Sequence, residues 1–62
     1  MDFISKVAAS KMATIKGEIA DLKEKLAATH DEAKRTTLKK RIRENETYYE
    51  ILAERLRVKT HY

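Results

Sequence analysis

The 62-residue chain has no cysteine, no proline and no tryptophan, and its only glycine is Gly17. Without cysteine there is no disulfide framework and no thiolate to act as nucleophile or metal ligand. Without proline, and with one glycine, almost nothing in the chain breaks a helix. Uninterrupted apolar runs stop at three residues, as in Val7 to Ala9. That is far short of the roughly 20 residues that cross a bilayer or the roughly 7 to 15 at the heart of a signal peptide. A cytoplasmic chain, or one in a particle assembled inside the cell, is expected on that basis. Residues 3–16 are amphipathic and carry Lys6, Lys11 and Lys16, a pattern shared with membrane-surface helices and organelle-targeting peptides. The stretch lacks arginine and has no clear end, so membrane contact there is not expected.

What is present is charge and helical periodicity. Charged residues make up 39% of the chain, and the apolar residues recur with a period that suits helices and has almost no two-residue alternation for strands. In the first half Ile4, Ala8, Met12, Ile15, Ile19, Leu22 and Leu26 are spaced by threes and fours. In the second half Leu38, Ile42, Asn45, Tyr49, Leu52 and Leu56 do the same. The stripe lapses only in "ATHDEAK", where Thr29 with Glu32 fits a capping box and Asp31 offers an alternative N-cap. An all-α, coiled-coil-like antiparallel hairpin follows, a single domain over 1–62 with helix one at about 3–28, a turn at about 29–31 and helix two at about 32–60. An unbroken helix pairing with an antiparallel copy is the competing arrangement.

A hairpin turning near residue 30 brings level those positions whose numbers sum to about 61. In that register Lys6, Lys11 and Lys16 face Glu54, Glu50 and Glu46, while Glu18 and Asp21 face Arg43 and Lys40, and Glu24 comes near Leu38 and Lys39. Such pairs specify register more than they stabilise, at about 0 to 1 kcal/mol each when exposed. The same register sets Asn45 as a polar seam position beside Lys16 and Gly17. It lays Tyr48 and Tyr49 over Ala13 and Met12, beside the small-residue strip Ala9, Ala13, Gly17 and Ala20, so that close packing explains Gly17.

Helix two carries a second apolar strip, Tyr48, Ile51, Val58 and Tyr62, about 100° from the first and fringed by Arg55, Arg57 and Lys59. One partner helix cannot cover both strips, and a chain this short buries too little surface to stand comfortably alone. Dimerisation into a four-helix bundle, or docking on a larger assembly, would complete the core. Tyr48, Ile51, Arg55, Val58 and Tyr62 are therefore the candidate partner-binding residues.

Catalytic and metal chemistry find little support. His30 and His61 fall at opposite ends of a hairpin, roughly 40 Å apart at 1.5 Å per residue. Glu46, Glu50 and Glu54 form a carboxylate ladder on one face, yet no Glu-x-x-His or second ligand set accompanies it. No enzyme, metal or cofactor is expected. The rival to protein binding is nucleic-acid binding: the net charge is +4, and Lys34, Arg35, Lys39, Lys40, Arg41 and Arg43 form an acid-free basic block. No aromatic side chain interleaves with those bases for stacking, and Glu18, Asp21 and Glu24 would offset part of their charge. The expected role is a small non-catalytic interaction or assembly protein, such as an accessory subunit, a virion component or an inhibitor of a larger protein.

Overall fold

The computed structural model of the chain describes residues 3–60, and their side chains as far as Arg57. Two long helices, α1 (Phe3–Ala28) and α2 (Glu32–Thr60), pack against each other as a hairpin measuring 47 × 14 × 12 Å. Helix runs on either side of Thr29–Asp31 but not through it, so the unbroken-helix alternative is excluded.

The seam is the expected stripe. Ile15 and Leu22 from α1 and Ile42 and Leu52 from α2 are the buried hydrophobic residues, while Met12, Ile19, Leu26, Leu38, Tyr49 and Leu56 are half-buried beside them. With Asn45 between Ile42 and Tyr49, these positions recur every three or four residues along each helix, which keeps them on one face of a 3.6-residue helix. Asn45 is half-buried within the seam, and no buried side-chain nitrogen or oxygen among the described residues lacks a partner.

The turn is built from side-chain hydrogen bonds rather than from a left-handed residue; no described residue has positive φ. Asp31 is the N-cap of α2, its Oδ2 accepting from the backbone N–H of Lys34 at 3.2 Å while its carbonyl accepts from Arg35 N at 2.9 Å. Glu32 follows in the first turn, where a negative charge suits the helix dipole. Thr29 does not serve as a cap for α2: its hydroxyl donates back to Lys25 O at 2.6 Å, within the last turn of α1. The end of α1 is closed from the other helix. Arg35 Nη1 donates to Leu26 O at 2.8 Å and to Thr29 O at 3.0 Å, adding to the 3.3 Å bond that Leu26 O accepts from Thr29 N and reaching the first carbonyl beyond α1. A cation at a helix C-terminus is also favoured by the dipole.

Two expectations fail. The first is the set of ion pairs: the register itself holds, with Ala28 and Glu32 flanking the turn and Ile4 and Ala8 lining one groove with Leu56 and Leu52, but the charges do not pair as expected. Glu46 pairs with Lys23 at 3.5 Å, two helical turns along α1 from the expected Lys16, and the other ion pair among the described residues is Glu54 with Arg57 at 3.3 Å within α2. Lys16 and Lys23 are seven residues apart and share a helix face, so the pattern of signs alone suits either pairing. The second is the small-residue strip. Ala9, Ala13, Gly17 and Ala20 all face solvent, and a Cβ built on Gly17 meets nothing within 4 Å. No ring lies over the strip at Gly17, and close packing does not account for that glycine.

Both findings carry measurable consequences. Gly17→Ala should stabilise the fold by about 0.5 to 1 kcal/mol, since the exposed helix interior gains propensity and loses no space; thermal or urea denaturation would register the gain, and a loss would show that Gly17 is packed. Arg35→Ala should cost about 1.5 to 3 kcal/mol, because two charge-assisted hydrogen bonds vanish and Leu26 O is left with only the 3.3 Å bond from Thr29 N. Lys34→Ala next to it, whose contact runs through its main chain, should change stability by less than about 0.5 kcal/mol.

Candidate functional site

Away from the turn the seam thins. On α1 the stripe there consists of Ile4, Ala8 and Met12, and the small Ala8 fills little of the space between helices. Beside it Phe3 and Val7, one turn apart, lie off the main stripe. The result is an open groove of about 690 Å³ whose apolar wall comprises Phe3, Ile4 and Val7 from α1 and Tyr48, Ile51 and Leu56 from α2. Ser5, Lys11, Glu54 and Arg55 supply polar atoms around it. Phe3 is 78% exposed, Ile4 64%, Ile51 46%, Tyr48 43% and Val7 38%, so five large apolar side chains meet water on this part of the hairpin. Scattered exposed apolar residues are ordinary; five around one concavity form a patch of the sort that marks a contact surface.

The candidate partner-binding residues divide accordingly. Tyr48, Ile51 and Arg55 line the groove. Val58 belongs to the last turns of α2, but its side chain, like Lys59's, lies outside the described residues, as does Tyr62 altogether. Two of the wall residues, Phe3 and Val7, were not apparent from the sequence stripes, and Ile4, assigned to the core stripe, is exposed. The signal that could have found them is the pair Phe3 and Val7 at four-residue spacing, which marks a second apolar line on α1 to match that on α2.

The basic block does not act as a unit. Arg35 is half-buried and committed to Leu26 and Thr29, so its guanidinium is part of the turn. Lys34, Lys39, Lys40, Arg41 and Arg43 are exposed, and none of them joins an ion pair among the described residues. Lys34 and Arg41, seven residues apart, fall on the flank that continues to Tyr48, whereas Lys39 and Arg43 fall on the flank that continues to Glu46 and Glu50. The expected neutralising acids Glu18, Asp21 and Glu24 are exposed and make no ion pair with the block. A shallower depression of about 410 Å³ near the turn is bordered by Lys25, Thr29, Lys34, Thr37 and Leu38.

The carboxylate ladder is likewise divided, with Glu46 held by Lys23 and Glu54 by Arg57. Among the described residues no group of three or more His, Asp or Glu side chains converges as a metal site would require. No helix among them is long and apolar enough to cross a membrane. In comparisons with known proteins, no family model, no curated protein and no solved structure matches the chain.

Proposed function

We propose that this chain is a non-catalytic protein–protein interaction module whose contact surface is the apolar groove between the N-terminal turns of α1 and the C-terminal half of α2. The observation that carries this reading is the gathering of Phe3, Ile4, Val7, Tyr48 and Ile51 around one concavity. Covering them with another polypeptide would remove apolar surface from water at about 25 cal/mol per Å². It would also supply the second layer that a two-helix hairpin lacks, either as a four-helix bundle or as a hairpin docked on a larger assembly. Tyr48 and Phe3 suit the anchor role at such surfaces, offering large rigid area at low entropic cost. Arg55 and Lys11 suit the polar rim.

The test is capture of binding proteins after nuclease treatment, with the wild-type chain set against Tyr48→Ser/Ile51→Ser. A specific polypeptide retained by the first and lost by the second supports the groove; indifference to the substitutions rejects it.

Contact with nucleic acid is the second reading, favoured by one observation: five exposed cations on α2 that no acid among the described residues pairs with. Their division between two flanks, and the engagement of Arg35 in the turn, weigh against a continuous phosphate track. Lys39, Arg41 and Arg43 replaced together by Gln should leave protein association within about twofold of wild type, since rim and remote charges contribute little to affinity. Wild-type affinity for duplex DNA or RNA should be weaker than about micromolar at physiological salt. A submicromolar affinity that falls steeply as salt rises, and that the triple substitution abolishes, would establish nucleic-acid binding instead, because that slope counts released counterions.

A further inference from the structure

The occupant of the groove can be argued from area and charge. The hairpin exposes 5145 Å². A compact monomer of 7.2 kDa would expose about 4,100 Å² by the usual scaling of surface with mass. The excess, about 1,000 Å² per chain, is close to the ~800 Å² that each partner buries in a standard interface. An identical chain brings an identical apolar groove and the same deficit of buried surface.

The face that holds the groove also has polarity along its length. Lys25 lies five full turns from Val7 on α1, and Thr37 about three turns from Tyr48 on α2, so the depression near the turn shares a face with the groove. That end is cationic through Lys25 and Lys34 next to the turn, while further along the same face Arg41 is set against Glu18 and Glu44, and all five are exposed. Three face-to-face pairings of two copies can be compared. With both turns at one end, the cationic ends are pressed together. With full antiparallel overlap, each apolar groove lies on the other copy's cationic end. Only partial overlap, groove on groove with the two turns pointing apart, matches apolar surface with apolar surface and separates the like charges.

Resting on the interaction reading above, we propose that the groove is filled by a second copy of this chain. The two hairpins overlap through their groove-bearing halves about a twofold axis perpendicular to their length. The contact is isologous, each groove receiving the other copy's Phe3 and Tyr48, and it closes on itself at two chains. The overlapped halves form a short four-helix bundle, and the two basic turns project from its ends.

Sedimentation equilibrium of the purified chain, with circular dichroism on the same samples, tests the pairing. The expected mass is that of two chains, and Tyr48→Ser/Ile51→Ser should weaken association at least tenfold. The wild-type background gives a second measurement that does not depend on those variants folding. Since the chain has no cysteine, a spin label at Ala33→Cys, exposed beside the turn, reports one distance per dimer. The arrangement predicts about 60 Å at 1.5 Å per residue, longer than the 47 Å of one hairpin. A folded wild-type chain that remains monomeric at about 100 µM overturns the self-pairing; if Tyr48→Ser/Ile51→Ser still removes a captured partner, the interaction reading survives that failure. A two-chain mass indifferent to the double substitution, or a label distance below 47 Å, overturns the proposed face or its overlap.

Discussion

The guanidinium of Arg35 holds this hairpin at its turn. A helix C-terminus leaves carbonyls without intrahelical donors, and the usual remedy is a glycine in the left-handed region just beyond the last turn. This chain has no glycine near residue 28 and no positive φ among its described residues. The donors come instead from the first turns of α2, through Arg35 to Leu26 and Thr29. The same bonds that finish α1 therefore fix where α2 begins its return. Asp31 completes the arrangement from the other side, capping α2, which starts three residues after Thr29. Everything further along the hairpin, including which side chains face one another in the seam, inherits its starting position from these few contacts.

Beyond the turn the core is narrow. Four buried hydrophobic residues and a row of half-buried neighbours make a single line of contact between two helices. Each helix thereby covers one stripe and leaves the rest of its circumference to solvent. Over most of the length that remainder is charged or small, as at Lys16, Glu18 and Ala20. Around the groove it is apolar on both helices. The difference between the two halves of the hairpin is thus a difference in the width of the apolar stripe, and it separates the half whose apolar side chains are covered from the half that leaves several of them in water.

How much of this the sequence discloses follows from what each residue type can signal. Ile15, Leu22, Ile42 and Leu52 are legible because a 3.6-residue period is written directly into spacings of three and four. The lapse at Thr29 to Asp31 is legible because the stripe stops there and capping residues begin. The ion-pair partners are not, since Lys16 and Lys23 stand a heptad apart and the rule of opposite signs cannot choose between them. Gly17 misleads because an exposed glycine and a packed one look alike in a string of letters. Arg35 is hidden for a similar reason: within "KRTTLKKRIR" nothing distinguishes the one guanidinium that turns inward from the cations that remain in water. Phe3 and Val7 are not legible because two residues are too few to announce a second stripe, and only the opposing line of Tyr48 and Ile51 gives them meaning.

The three-residue connection between α1 and α2 also bears on the order of events as the chain folds. Contacts next to the turn, such as Arg35 with Leu26, join residues nine positions apart, whereas those that would close the groove join residues separated by more than forty. Loop-closure entropy rises with that separation, so formation from the turn outward is the least costly route and the far ends come together last. The last contacts to form are thus those beside Phe3, Ile4, Tyr48 and Ile51, side chains that still meet water once the hairpin is complete.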